Sequence, residues 1–191
     1  MNTVNIASNI LGLYVIMYIF WIITINSFKK NQLKSVKKKR DNYSLLLIRI
    51  TTIISIIIAL LLSVAKIDLL SSWFFVLGVA FMVLGFLIRE WAIITIKQFF
   101  SFQVSIYSNH KLVNKGLYRF IRHPAYTGAL ITIIGLGIAL RSVIGLGFII
   151  ILTGLACGYR IKLEEKFLIN EFGEEYITYK KKTKLLIPWV W

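Results

Sequence analysis

The residues best suited to chemistry lie in three polar clusters in the second half of the chain, at 103–118, 122–128 and 160–165. Together the clusters contain histidine, tyrosine, arginine and glutamate, so they offer charges of both signs and neutral donors that could bind a zwitterion. Arg160 and Glu164 are four residues apart, which places them on one face of a helix. Such a pair also occurs as a simple helix-stabilising contact, so only the convergence of the clusters would make a site.

Pro124 indicates how the second and third clusters meet. Proline suits the first turn of a helix, where its missing N–H costs nothing. A helix is therefore expected to begin there, with its free N–H groups open to a polar ligand. The apolar stretch that follows is joined to the next one by only Arg141 and Ser142. A link this short forces an antiparallel hairpin, which brings the helix start beside Arg160.

The elements that must position these clusters are apolar. Of the 191 residues, 58% are hydrophobic, against about 45–50% in soluble domains, and the mean hydropathy is +0.75. The apolar residues form five runs, at 6–28, 45–65, 71–96, 124–140 and 143–159. We predict an all-α fold, namely a polytopic membrane protein of about five transmembrane helices with a tight C-terminal helical hairpin and a cytoplasmic helical tail.

Glycines are frequent in the predicted hairpin. Small residues let membrane helices approach closely, so these glycines are expected to lie between its two helices. They are Gly135 and Gly137 in the first helix and Gly145, Gly147, Gly154 and Gly158 in the second.

The basic residues predict the orientation. Lys and Arg number 23 against 8 Asp and Glu, for a net charge of +15. Most of the basic residues fall in 29–44, 97–123 and 160–191, and positively charged loops face the cytoplasm. The N-terminus is therefore expected outside and the C-terminus in the cytoplasm. In a chain this apolar, the charge indicates contact with anionic lipid at the cytoplasmic face and not with nucleic acid.

Several spaced motifs occur in order after residue 97. They are His110-x-Leu-Val-x-x-Gly-x-Tyr118, Arg-His-Pro-x-Tyr126-x-Gly, Arg160-x-x-x-Glu-Glu and Phe-Gly-x-Glu-Tyr-x-x-Tyr179, with a late Pro188. This series resembles the isoprenylcysteine carboxyl methyltransferase family. The resemblance implies an S-adenosylmethionine pocket on the cytoplasmic side, a lipophilic or prenylated substrate that enters from the bilayer, and methyl transfer to a prenylcysteine carboxylate. It divides the chain into three transmembrane helices with a basic cytoplasmic loop (1–96) and a catalytic region (97–191).

The resemblance also implies roles for single residues. Glu164 matches the acid that holds the amino group of the cofactor, and Arg160 matches the residue assigned to the substrate carboxylate; both are predicted to be catalytic. The other cofactor contacts that it implies are Gln103, His110, Lys111, Leu112, Val113, Tyr118, His123, Pro124, Ala125 and Tyr126.

The predicted chemistry needs little acid–base machinery. A carboxylate is already ionised at pH 7, so it can attack a sulfonium methyl group without a general base. The protein must supply orientation, which can lower a barrier by about 7–11 kcal/mol, and a guanidinium can hold both carboxylate oxygens. The single cysteine, Cys157, lies in an apolar run, so neither a disulfide framework nor a metal cluster is expected.

Three alternatives stay open at the level of sequence. A membrane methyltransferase could act on a phospholipid amine or a small thiol, in which case His110, His123 or Glu165 could serve as a base. A nicotinamide-dependent membrane reductase is disfavoured, because no strand-bound G-x-G-x-x-G motif is present. The chain could also be a non-enzymatic membrane protein whose basic residues bind anionic lipid. That alternative would not explain why polar residues cluster at the open end of the predicted hairpin.

Overall fold

The computed structural model describes residues 3–29, 36–40, 43–67, 69–97, 104–107 and 112–188. The described parts are almost entirely helical, so the predicted fold class is confirmed. The helices are α1 (Thr3–Lys29), α2 (Tyr43–Val64), α3 (Phe74–Ile96), α4 (Pro124–Ala139), α5 (Val143–Phe172) and α6 (Glu174–Lys182). In α1 (over Ala7–Ser27), α2, α3 and α5 the helix is long and apolar enough to cross a membrane, whereas α4 is a shorter apolar helix. The count of five spans stays a prediction.

A short two-stranded sheet was not predicted. Strand β1 (Val36–Arg40) pairs antiparallel with β2 (Val104–Tyr107), and the register is irregular between Val36 and Lys38. The sequence of β1 is Val-Lys-Lys-Lys-Arg, which lacks the alternation of apolar and polar residues that indicates a strand. The purely α-helical prediction was therefore incomplete at this point.

Helices α3 and α4 pack with their backbones in contact. A Cβ placed on Gly85 would lie 2.6 Å from the carbonyl oxygen of Gly128, and one placed on Gly128 would lie 2.6 Å from that of Gly85. Two turns away, Gly135 faces Gly78 and Met82 in the same manner. Glycine is required at these positions because any side chain would separate the helices.

The expected use of the hairpin glycines was largely wrong. Gly135 packs on α3 and not on α5, and Gly145 lies against Ala59 of α2, where a Cβ would be 2.7 Å from the Ala59 Cα. Gly137 does face Leu146 and Ile149 of α5. A Cβ at Gly147, Gly154 or Gly158 would have no neighbour within 4 Å among the described residues. A glycine-rich sequence predicts close packing but does not name the partner helix.

Two interhelical turns meet at one end of the bundle. The N–H of Leu70, between α2 and α3, donates to the carbonyl of Arg141, and the Arg141 Nε donates back to the carbonyl of Leu70 at 2.8 Å. Helix α5 then begins at Val143, and the hydroxyl of its N-cap residue Ser142 accepts the Gly145 N–H at 3.0 Å, a capping contact. The turn of the hairpin thus reaches the same end as the loop between α2 and α3.

Helix α5 is longer than the apolar run that predicted it. The run ends at residue 159, but the helix continues to Phe172 and stops at Gly173, whose φ of +54° favours glycine. Arg160 and Glu164 therefore lie on a continuous helix, as their spacing predicted.

Candidate active site

A cavity of about 630 Å³ lies at the end of the bundle opposite the Arg141 turn, and residues from all six helices line it. Its polar end is formed by the start of α4, the second half of α5 and α6. Its apolar limb runs along α2 from Leu45 to Ile56, about 16 Å at the rise of an α-helix, and is interrupted only by Arg49 and Thr52 among the α2 residues that line it. A molecule with a polar head and a lipid tail would fit such a shape.

Tyr126 connects the two charged residues that the sequence singled out. The Arg160 Nε donates to the Tyr126 hydroxyl at 2.7 Å, and that hydroxyl donates to Glu164 Oε2 at 2.8 Å. Arg160 is 3% exposed and also donates from a terminal nitrogen to the Ser44 hydroxyl at 2.8 Å. The guanidinium is therefore held in one orientation by α2 and α4 while it faces the cavity.

Two buried polar atoms beside this network make no hydrogen bond to the described residues. They are the Nε2 of His123 and the hydroxyl oxygen of Tyr176, on side chains that are buried and line the cavity. Buried polar groups in native proteins are nearly always hydrogen-bonded. A polar ligand in this end of the cavity would supply the missing hydrogen bonds.

Buried tyrosines form the floor of the polar end. The Tyr179 hydroxyl donates to the Tyr118 carbonyl at 2.7 Å, which fixes α6 against the turn before α4. Burial raises the pKa of Tyr118, Tyr176 and Tyr179 above the ordinary value for a phenol. These side chains are therefore neutral at physiological pH and add no negative charge to the site.

Arg122 fastens the C-terminal segment to the start of α4. Its Nε donates to Glu165 Oε1 at 2.6 Å, and one terminal nitrogen donates to the carbonyls of Lys180 at 3.1 Å and Thr183 at 2.5 Å. Lys180 Nζ reaches the other Glu165 oxygen at 2.7 Å, and His123 Nε2 lies 3.7 Å from the Glu165 carboxylate. Glu165 thus stabilises the walls of the cavity and does not itself line it.

Comparison with known proteins places this arrangement in a family. Residues 76–170 match the model of the isoprenylcysteine carboxyl methyltransferase (ICMT) family. The chain belongs to this family. The predicted resemblance is therefore confirmed, and the matched region holds nearly all of α3 and of the hairpin, with Arg122, Tyr126, Arg160 and Glu164 among its residues.

Curated relatives agree with the ICMT family match. The chain is 32% identical over 120 residues to protein-S-isoprenylcysteine O-methyltransferase B of Arabidopsis thaliana, covering 62% of this chain and 61% of the relative. It is 37% identical over 117 residues to the protein-S-isoprenylcysteine O-methyltransferase of Saccharomyces cerevisiae, covering 60% and 49%. The chain thus spans about half to two thirds of the length of the curated relatives that it matches.

The fold is that of a solved ICMT structure. The structure of the eukaryotic intramembrane Ras methyltransferase ICMT superposes with a TM-score of 0.66 at 23% identity, over 97% of this chain and 68% of that one. With the apolar helices, this likeness identifies the chain as an integral, multi-pass membrane protein.

Most predicted site residues that the structure describes converge on the cavity of this ICMT family member. Those that line it are Leu112, Val113, Tyr118, His123, Ala125, Tyr126, Arg160 and Glu164. Pro124 does not; it is fully buried as the first residue of α4, where it starts the helix. Gln103, His110 and Lys111 lie outside the described residues.

Sequence reasoning missed the contribution of the first three helices to the site. Ser44 on α2 holds Arg160, and Arg89 on α3 faces the cavity. The charged pair at 89–90 inside an apolar run was a signal, because an ionisable residue within a membrane helix usually faces an interior cavity. Nothing in the sequence around Ser44 distinguishes it from other serines at a helix start.

Proposed function

We propose that this chain transfers the methyl group of S-adenosylmethionine to the carboxylate of a lipophilic acceptor of the prenylcysteine type. The observation that carries the proposal is the single cavity that joins a polar end around Glu164 to an apolar limb along α2. Methyl transfer to such an acceptor needs a polar donor and a lipid chain in one enclosed space. The names of the curated relatives, as S-isoprenylcysteine O-methyltransferases, support the same acceptor class.

The polar end fits the donor. S-adenosylmethionine supplies an electrophilic methyl group on a sulfonium together with an amino acid portion that is itself zwitterionic. Glu164, whose carboxylate is held by Tyr126, would bind the amino group. The Nε2 of His123 and the hydroxyl of Tyr176, which make no hydrogen bond to the described residues, would bind further polar atoms. Gln103, His110 and Lys111 lie outside the described residues and remain proposed contacts. Leu112 and Val113, which follow Lys111 in the sequence, line the cavity.

Arg160 would orient the acceptor carboxylate. A guanidinium binds both oxygens of a carboxylate in a fork, and this one is aimed into the cavity by Ser44 and Tyr126. Because it shares its donors with the Tyr126 hydroxyl, it would not hold the carboxylate so strongly that attack is slowed. The surrounding aromatic residues would exclude water, so that most of the rate enhancement comes from orientation.

The proposed orientation places this chemistry at the cytoplasmic face. With the N-terminus outside and the C-terminus inside, the basic segment between α1 and α2 and the start of α4 would both face the cytoplasm. We propose that anionic lipid contacts this basic face, since clustered Lys and Arg residues bind such headgroups. Within this scheme, 1–96 supplies the apolar limb and 97–191 supplies the catalytic region.

Calorimetric titration of S-adenosylmethionine into the detergent-purified protein tests the donor site. We expect binding in the micromolar range, with a loss of at least about tenfold in Glu164→Ala. Glu171→Ala is the matched control, because Glu171 is exposed on the same helix and does not line the cavity. Absence of binding to the folded protein would reject the methyltransferase proposal.

A panel of acceptors then tests the substrate class. With a donor carrying a labelled methyl group, we expect transfer to a farnesylated cysteine carboxylate and not to a phosphatidylethanolamine amine or a small thiol. Transfer to the amine or the thiol instead would show that the methyl acceptor is a phospholipid amine or a small thiol and not a carboxylate.

A further inference from the structure

Four arginines in the described part of the chain line the cavity, namely Arg49, Arg89, Arg122 and Arg160, and the chemistry above uses only Arg160. Arg49 is exposed, whereas Arg89 has an enclosed donor. Arg89 lies on α3, within the membrane-spanning range Phe74–Ile96. Its guanidinium carbon lies 3.8 Å from the ring centroid of Trp21 on α1, a cation–π contact. Its Nε is enclosed and has no hydrogen-bond acceptor among the described residues. The Trp21 ring thus holds the Arg89 guanidinium in place, while the Nε–H of Arg89 is still available to donate a hydrogen bond.

The charges that line the cavity leave Arg89 without a matching carboxylate. Among the described lining residues, Glu164 is the only acid. It is connected to Arg160 through Tyr126, and Arg122 is paired with Glu165. The neighbouring Glu90 lies within electrostatic range of Arg89, but it is outside the cavity lining, and hydrogen bonds join neither of its oxygens to Arg89.

An unmatched guanidinium at this depth indicates an anionic ligand. Ionisable residues within membrane helices are costly, and they usually mark a substrate or ion site. A fixed guanidinium in a site of low dielectric binds a carboxylate strongly and with defined geometry. A Cβ on Gly128 would lie 2.6 Å from the backbone nitrogen of Arg89, and Gly128 follows by two residues Tyr126, the hydrogen-bond partner of Arg160. Arg89 therefore lies on the part of α3 that packs against the start of α4, beside the polar end of the cavity.

We propose that Arg89 binds the carboxylate of the methyl acceptor together with Arg160 and so makes the cavity selective for an anionic head group. The inference rests on the proposed function and adds to it a residue of the acceptor site from the N-terminal helices. Arg160 holds the carboxylate from α5, and Arg89 holds it from α3. A neutral or cationic head group leaves the Arg89 guanidinium buried without a partner, so the cavity disfavours it.

Two ligands that differ only in charge test this role. N-acetyl-S-farnesylcysteine and its carboxamide are titrated into the full-length protein in detergent with S-adenosylhomocysteine present. We expect the wild type to prefer the carboxylate by at least about tenfold. In Arg89→Gln, affinity for the carboxylate should fall by a similar factor, while affinities for the carboxamide and for S-adenosylmethionine stay unchanged. Arg119→Gln is the matched control, because Arg119 is exposed and does not line the cavity.

Arg89→Lys serves if Arg89→Gln does not fold. It keeps a cation over Trp21 but loses the fork, so affinity for the carboxylate should fall by about tenfold with S-adenosylmethionine binding retained. If a folded Arg89 variant still prefers the carboxylate over the carboxamide as the wild type does, the role of Arg89 is overturned and the proposed function is unaffected. Equal losses for carboxylate and carboxamide would also overturn that role, by showing that Arg89 only shapes the cavity. A wild type that binds S-adenosylmethionine but shows no preference would overturn the carboxylate acceptor itself.

Discussion

Tyr126 donates its hydroxyl hydrogen to Glu164 Oε2 across 2.8 Å, and this bond joins α4 to α5 at the polar end of the cavity. The same hydroxyl accepts from Arg160 Nε, so a neutral group stands between the two charged residues. Arg160 and Glu164 are one helical turn apart, and both line the cavity. Tyr126 thereby fixes the spacing between the proposed donor and acceptor sites.

Removing that hydroxyl should affect catalysis more than stability. In Tyr126→Phe the ring still fills its place, but Arg160 and Glu164 lose a shared partner, and a hydrogen bond to a charged group is worth about 1.5–3 kcal/mol. We expect kcat/KM to fall about 10- to 100-fold, with a fall in melting temperature of a few degrees from the lost hydrogen bonds. Steady-state rates and thermal unfolding measure both. Tyr159→Phe, at an exposed position on α5, is the control and should change neither.

Arg160→Ala should separate acceptor chemistry from donor binding. If Arg160 orients the carboxylate, turnover should fall by about 100-fold or more, while the dissociation constant of S-adenosylmethionine changes only a few-fold. Rates at saturating donor, together with calorimetric titration, give the two quantities. Glu164→Ala should show the opposite pattern, with weakened donor binding. Equal loss of donor binding in both variants would contradict separate roles.

The Arg122–Glu165 pair should control the stability of the C-terminal segment. The side chains are only 9% and 12% exposed, and breaking such a buried pair costs about 3–5 kcal/mol. The lower end applies here, because Lys180 still neutralises Glu165 when Arg122 is removed. Arg122→Ala should therefore lower the free energy of unfolding by about 3 kcal/mol and speed proteolysis of the segment after α5. Reversible denaturation in mixed detergent and limited proteolysis test this.

Lys180→Ala provides the comparison for Arg122→Ala. Lys180 binds the same carboxylate at a similar distance, but its side chain is 42% exposed, and exposed ion pairs contribute about 0–1 kcal/mol. A comparable loss of stability in both variants would mean that burial does not set the strength of these contacts.

The helices could be predicted from the sequence because long apolar runs have few alternatives in a membrane. The polar clusters at Arg122 and Arg160 could be placed together because a two-residue link admits only one arrangement of α4 and α5. Ser44 could not be placed, since its bond to Arg160 joins residues 116 positions apart. The end of α5 was set too early, because the helix continues after apolar residues give way to charged ones.

The contact between α3 and α4 could have been predicted from the spacing of their glycines, although not from the number of glycines. Gly78 and Gly85 are seven residues apart, and so are Gly128 and Gly135, so each pair lies on one helix face. In the antiparallel arrangement Gly85 meets Gly128 and Gly78 meets Gly135. Matched glycine spacing in two helices therefore predicts their contact better than the number of glycines in either one.

Adding a single methyl group at this contact should destabilise the bundle. In Gly85→Ala the new Cβ would lie 2.6 Å from the Gly128 carbonyl oxygen and 2.6 Å from the Thr132 hydroxyl oxygen, so α3 and α4 must separate. We expect the free energy of unfolding to fall by about 1–3 kcal/mol. Activity should fall as well, because Gly128 also lies against the backbone of Arg89 and follows Tyr126 by two residues.

Gly154→Ala is the matched control for this effect, because a Cβ there has no neighbour within 4 Å among the described residues. Alanine is also the better residue in a helix interior by about 0.5–1 kcal/mol. Stability should thus stay unchanged or rise, opposite in sign to Gly85→Ala. Reversible denaturation of both variants in the same detergent measures the difference. If both variants lose stability, the effect comes from replacing a glycine and not from the contact between helices. If neither loses stability, α3 and α4 can move apart without a change in the free energy of unfolding.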